Sequence, residues 1–217
     1  YGVGDTASNF FFHTFNILLL GYYTDVFGLA ASAVGTMFLV TKLFDAVTDP
    51  IMGMIADRTK TRMGKFRPYI LWFAVPFGII GYAMFANPDL SDFGKLVYAY
   101  FTYSLMMLVY TAINVPYSSL LGVISADSEE RTTVSTYRFV CAFGAQFLIS
   151  AFVLPLRDLL GGGDEGRGYE ITMALFAVAS VVLWFTTFLT TRERVEPPPD
   201  QKLDLANDIG VVIRNGA

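Results

Sequence analysis

Apolar residues fall into six long blocks separated by short polar breaks, at about 9–28, 33–56, 68–87, 96–124, 133–156 and 171–190. Each is close to or above the roughly 20 residues an α-helix needs to cross a bilayer, so the pattern predicts an all-α, polytopic membrane protein with six spans. The breaks also orient it. Arg58, Lys60, Arg62, Lys65 and Arg67 lie in the 57–67 loop, Arg131 in the 125–132 loop, and Arg192, Arg194, Lys202 and Arg214 in the tail. The opposite side has only Lys95, Arg157 and Arg167, which places both ends of the chain in the cytoplasm by the positive-inside bias.

After Thr191 the pattern changes to Arg-Glu-Arg, then Pro197-Pro198-Pro199, then Leu203, Leu205, Ile209, Val212 and Ile213 among polar residues. Residues 1–190 are therefore expected to form a transmembrane bundle, and 191–217 a stiff cytoplasmic linker with a short amphipathic helix. That helix has nothing to dock on within the sequence, so the protein is expected to continue. The chain starts at Tyr1, with no charged leader and cleavage site, and its natural N-terminus is expected to lie upstream.

Composition agrees. Of 217 residues 54% are apolar and only 16% charged, well below the quarter usual in soluble domains. The length holds six spans and not twelve. A net charge of −4, with no basic stripe interleaved with aromatics, excludes nucleic-acid binding. The single cysteine, Cys141, excludes an internal disulfide and a cysteine-based metal cluster. Gly161-Gly162-Gly163 follows no strand and precedes no phosphate-binding pattern, so it reads as a turn.

The second span carries ionisable residues in hydrocarbon, where a charge costs about 2.5–3.5 kcal/mol on insertion scales and marks function by default. Lys42, Asp45 and Asp49 follow at spacings of three and four and stack on one helix face. Two carboxylates one turn apart need a proton, a cation or a positive side chain between them, and Lys42 neutralises only one. The stripe is short of one positive charge, which suits reversible binding of Na⁺ or H⁺, with Li⁺ also compatible. Pro50 frees the Ala46 carbonyl and Thr48 adds a hydroxyl, both oxygen donors suited to a hard cation. The plainer reading is a structural Lys42–Asp45 ion pair with Asp49 near the interface.

Neutral polar groups line other spans. Asn9, His13 and Asn16 share a face of the first beside Phe12; Tyr110, Thr111, Asn114, Tyr117 and Ser118 cluster on the fourth; Arg138 lies in the fifth. Amides, hydroxyls and aromatic rings around one arginine with no neighbouring carboxylate suit a polar solute such as a sugar. Interhelical hydrogen bonding is the alternative for each amide taken singly.

Tyr1-Gly-Val-Gly-Asp5, Tyr22-Tyr-Thr-Asp25-Val-Phe-Gly28, Gly35-Thr-Met-Phe-Leu-Val, Asp45-Ala-Val-Thr-Asp49-Pro50, Asp57-Arg58, Gly64-Lys65-Phe66-Arg67-Pro68 and Asn114-Val-Pro116-Tyr117 occur in an order that resembles the glycoside, pentoside and hexuronide cation symporters of the major facilitator superfamily. The resemblance runs end to end. It implies a twelve-helix carrier of which this is the amino-terminal six-helix half, in a bacterial inner membrane, with substrate between two halves and the carboxy-terminal half absent. It further implies that Asp45, Asp49 and Thr111 serve the cation, Arg138 the sugar pocket and Tyr110 an aromatic position near the sugar. Asp45 and Asp49 are thus the expected Na⁺ ligands if sodium is the coupling ion; no other cofactor is implied.

Two departures bear on substrate. The melibiose-permease branch has acids where this chain has Asn9 and Asn114, and tryptophan in place of Ser118; the glucuronide-carrier branch resembles this chain at both asparagines. The expected substrate is therefore a uronate-bearing glycoside, read by Arg138, or a neutral xyloside, taken up with Na⁺ or H⁺ by alternating access. The rivals are a non-transporting sugar sensor and a lipid carrier on the same fold. Gly2-Val-Gly4-Asp5 matches the string of membrane aspartyl proteases, but that chemistry needs aspartates facing each other from different helices, so no enzyme is expected.

Overall fold

The computed structural model describes residues 1–195; the amphipathic stretch expected at 203–213 lies outside the described residues. Six helical segments appear in chain order and no strand forms among the described residues. Helix α1 (Val3–Thr14) runs on through two π-helical turns, Phe15–Leu19 and Tyr22–Val26. It is followed by α2 (Ala31–Arg58), α3 (Arg67–Ala83), α4 (Asp92–Ile124), α5 (Ser128–Gly161) and α6 (Glu165–Thr190). These match the six expected spans, extending those at 33–56, 96–124, 133–156 and 171–190, while the first segment ends at Val26 and α3 at Ala83, short of the expected ends at 28 and 87.

Four of the helices, α2, α4, α5 and α6, are individually long and apolar enough to cross a membrane. The first segment falls short as an α-helix because the π-turns interrupt it, and α3 has 17 residues, about 25 Å at 1.5 Å per residue.

Helix ends follow local chemistry. Ser91, Asp127 and Asp164 cap α4, α5 and α6 by accepting from the backbone N–H of Gly94, Glu129 and Arg167. Gly162, at φ +58°, ends α5 in the left-handed conformation that glycine adopts without a Cβ penalty, so the glycine run is indeed a turn.

The core lies among α1, α3, α4 and α6. Phe11, Phe77, Tyr117 and Trp184 are fully buried there and pack edge-on, with ring centroids 5.5 Å apart for Phe11–Phe77 and 5.2 Å for Tyr117–Trp184. Helix α2 packs on α4, and α5 on α1 and α6. Both leave large apolar faces open, with Leu43, Val47, Phe143 and Phe147 exposed.

At the end holding the basic loop, Glu193 accepts from the backbone N–H of Lys65, Phe66 and Arg67 at 2.8, 2.8 and 3.0 Å, which satisfies orphan donors at the start of α3. Arg67 donates to the Phe188 carbonyl, and Lys65 pairs with Asp57 at 2.8 Å. The segment after α6 is thereby held against the bundle as far as Val195, whose N–H donates to the Val123 carbonyl.

Candidate functional site

Two groups of polar side chains lie within the helices. The first joins α2 to α4. Thr111 donates its hydroxyl to Asp49 Oδ1 at 2.7 Å. One turn back along α2, Asp45 is partly buried, and its Oδ1 is shielded from solvent and accepts no hydrogen bond. Thr48 stands between them with its hydroxyl 3.5 Å from the Asp45 carbonyl. Pro50 lies inside α2 and has no N–H, so the Ala46 carbonyl lacks its usual partner in the helical ladder.

Lys42 does not complete this group. It is exposed and forms no ion pair with Asp45 or Asp49, so the structural ion pair weighed from the sequence is absent. The shielded Asp45 Oδ1 receives no hydrogen-bond donor from the protein. Carboxylate oxygens, a hydroxyl and a free carbonyl are the donor set a hard monovalent cation takes. Asp45 and Asp49, with Thr48 and Thr111, are the residues that fit it.

The second group joins α1, α4 and α5. Arg138 binds Asp5 through both arms of a fork, Nε to Oδ2 at 2.7 Å and Nη2 to Oδ1 at 3.0 Å. Tyr117 also donates to Asp5 Oδ2, at 2.7 Å, and Tyr1 donates to the Tyr117 carbonyl at 2.6 Å. The rings of Tyr1 and Tyr117, stacked on each other with centroids 4.6 Å apart, lie together beside the guanidinium, 5.3 and 5.0 Å from its carbon. Gly4 makes room for this: a Cβ there would meet the Tyr117 ring at 2.6 Å.

This corrects the expectation of an arginine with no neighbouring carboxylate. Asp5 was legible only as part of a motif at the start of a span, and nothing in its spacing pointed to a residue 133 positions away. Tyr117 is likewise fully buried, and its hydroxyl serves Asp5.

Along α1 the same face continues as a ladder. Asn9 accepts from Gln146 at 3.0 Å and donates to the Asp5 carbonyl, while His13 meets Ser150 at 2.8 Å. Residues 5, 9 and 13 recur every four positions, one above another, each facing α5. Gln146 and Ser150 were missed by sequence reasoning, although an amide inside the span 133–156 was a usable signal. Asn114 accepts from Ser8 at 2.7 Å and donates to the Tyr110 carbonyl. These amides thus act as interhelical links.

The remaining candidates lie apart from the ladder. Tyr110 stacks on Phe12 with centroids 5.1 Å apart, and Phe12 is exposed on one side. Asn16 is exposed and donates back to the Phe12 carbonyl of its own helix. Ser118 lines a separate groove of about 580 Å³ between α4 and α5, with Ser119, Ser128, Arg131, Thr132 and Ser135.

Residues 1–217 match the family described as MFS/sugar transport protein. The chain is 44% identical to the inner membrane symporter YicJ of Escherichia coli over 92% of its length and 43% of that protein's. It is 40% identical to the isoprimeverose transporter of Lactiplantibacillus pentosus, over 93% of this chain and 43% of that one. It is 36% identical to the glucuronide carrier protein homolog of Escherichia coli, over 90% and 43%. The chain therefore spans a little under half the length of the curated relatives it matches, and these relatives are carriers and not enzymes.

Proposed function

The chain belongs to the MFS/sugar transport protein family, and on that premise we propose that it is the amino-terminal half of an integral-membrane secondary carrier that moves a glycoside together with a cation. In this reading residues 1–190 form the bundle and 191–217 lead to the second half. Both ends face the cytoplasm, in keeping with the basic residues gathered at that end.

The observation that carries the proposal is the Asp45–Asp49 pair: two carboxylates on a membrane-spanning helix, one bound to Thr111 and the other with a shielded, unpartnered oxygen. A carboxylate kept in hydrocarbon without a partner costs several kcal/mol unless something positive visits it. A coupling cation, Na⁺ or H⁺, supplies that charge. Because Asp49 is tied to Thr111 on α4, neutralising the pair also settles α2 against α4, the helix that carries Tyr110 and Asn114. Cation binding thereby favours the arrangement of α4 that meets the sugar. Linkage makes the effect mutual: the sugar must tighten the cation by the same factor. Rocking of the two halves then exposes the loaded site to the other side.

The test is uptake of a labelled glycoside into vesicles containing the full-length protein, with and without an inward Na⁺ gradient and, separately, an inward proton gradient. The proposal expects one gradient to drive accumulation in the wild type and neither to do so in Asp45→Asn. Sugar binding with no accumulation under either gradient would overturn it in favour of a sensor.

A further inference from the structure

The seam between α3 and α6 carries none of the side chains of the candidate site, which belong to α1, α2, α4 and α5. It carries an open groove of about 390 Å³, lined by Val75, Ile79 and Tyr82 from α3 and by Ala174, Val178 and Val182 from α6. Small residues form its floor. Gly78 lets the two helices meet, since a Cβ there would fall 2.6 Å from Val181 Cγ2 and 3.1 Å from the Ala177 carbonyl oxygen. Larger side chains form the rims, and Ile79, Val178 and Val182 are exposed.

The groove leads to a carboxylate. Glu170 lies one turn of α6 outward of Ala174 and on the same helix face. The Tyr82 hydroxyl, one residue from the end of α3, donates to Glu170 Oε1 at 2.6 Å. Its Oε2 accepts from no protein donor among the described residues, and neither Glu170 nor Arg167, three positions away, forms an ion pair there. Both Tyr82 and Glu170 lie near the helix ends remote from the basic 57–67 loop, at the headgroup depth where tyrosine is enriched in membrane proteins.

An apolar trough in line with an unpaired carboxylate at headgroup depth has the layout of one phospholipid with a cationic head. An acyl chain lies along the trough, and an ammonium donates to the Oε2 that Tyr82 leaves free. An anionic lipid would instead bring its net negative charge against Glu170. A polypeptide fits poorly: a helix is about 10 Å across with its side chains, and a stable protein interface buries more than about 1,000 Å².

We propose that the α3–α6 groove is a binding site for a single phosphatidylethanolamine of the outer leaflet, selected by Glu170 through its ammonium group. The proposal rests on the transport reading only for the setting of the seam: with the second half on the side of Asp45 and Arg138, α3 and α6 face the bilayer.

The experiment is native mass spectrometry of the full-length protein in detergent with equal amounts of phosphatidylethanolamine, phosphatidylcholine and phosphatidylglycerol of identical acyl chains. Phosphatidylcholine keeps the positive charge and lacks the N–H donors, so it separates hydrogen bonding from charge. The wild type is expected to retain one phosphatidylethanolamine at least about fivefold more than either other lipid. Glu170→Gln, which still accepts from Tyr82, should lower that retention by about tenfold, the scale of one charged hydrogen bond, and leave the other two lipids unmoved. Val178→Trp, which fills the trough from its exposed rim, should lower retention of all three.

Equal retention of the three lipids by the wild type, or a phosphatidylethanolamine preference that survives in Glu170→Gln, would overturn the proposal. Should Glu170→Gln not fold, unchanged retention in Val178→Trp would overturn it. The readout needs neither sugar nor gradient, so loss of the lipid preference with gradient-driven uptake intact counts against this inference alone, and a Glu170-dependent preference without uptake counts against the carrier reading alone.

Discussion

Asp5 and Asp45 are both carboxylates held among apolar helices, and the chain treats them in opposite ways. Asp5 receives a two-armed guanidinium and a tyrosine hydroxyl, so its charge and most of its lone pairs are accounted for. Asp45 has one oxygen shielded from solvent with no donor at all, although Lys42 is only three residues away. A satisfied buried ion pair fixes which helices meet, whereas an unsatisfied carboxylate is a place left for something that comes and goes. One site holds α1, α4 and α5 together; the other lies between α2 and α4, where the proposed mechanism has a visiting cation change how two helices pack.

The largest expected effect separates the two. Asp45→Asn removes a charge with no protein partner, so gradient-driven uptake should be lost while the purified protein keeps a melting temperature at or above that of the wild type. Asp5→Ala should do the reverse to stability: it strands Arg138 and is expected to cost about 2–4 kcal/mol, read as a lowered melting temperature. A protein in which Asp45→Asn melts lower than Asp5→Ala would break the contrast.

Thr111→Val is intermediate. It deletes a hydrogen bond to Asp49 and should raise the cation concentration needed for half-maximal uptake by about tenfold, with little change in the maximal rate. Lys42→Gln is the smallest. An exposed ammonium without an ion pair is expected to alter cation dependence by less than about threefold, whereas a large effect would show that Lys42 reaches the carboxylates during the cycle.

Much of the fold was legible because hydrocarbon imposes a length and a composition on each span. All six blocks became helical, and their breaks became the turns. The π-turns at Phe15–Leu19 and Tyr22–Val26 were not legible, since they shift backbone hydrogen bonds by one residue without altering the apolar pattern. In the candidate site, Asp45 and Asp49 stood out because charge in a span is rare. Arg138 stood out for the same reason but was misread, because its partner sits at the head of the first segment, where an acid passes as an interfacial residue. Gln146, Ser150 and Glu193 acquire meaning only through contacts 137, 137 and about 126 to 128 positions distant. A single sequence records residue types and local spacing, and such pairings arise only once the helices pack.

The central claim, that Asp45 is where the cation couples to the sugar, is tested most directly by the affinity of the full-length protein for a glycoside, titrated across Na⁺, Li⁺ and pH in the wild type and in Asp45→Asn. The account predicts that wild-type affinity rises with at least one of these cations and that the variant's affinity is flat for all of them. Wild-type cation dependence persisting in Asp45→Asn would contradict it.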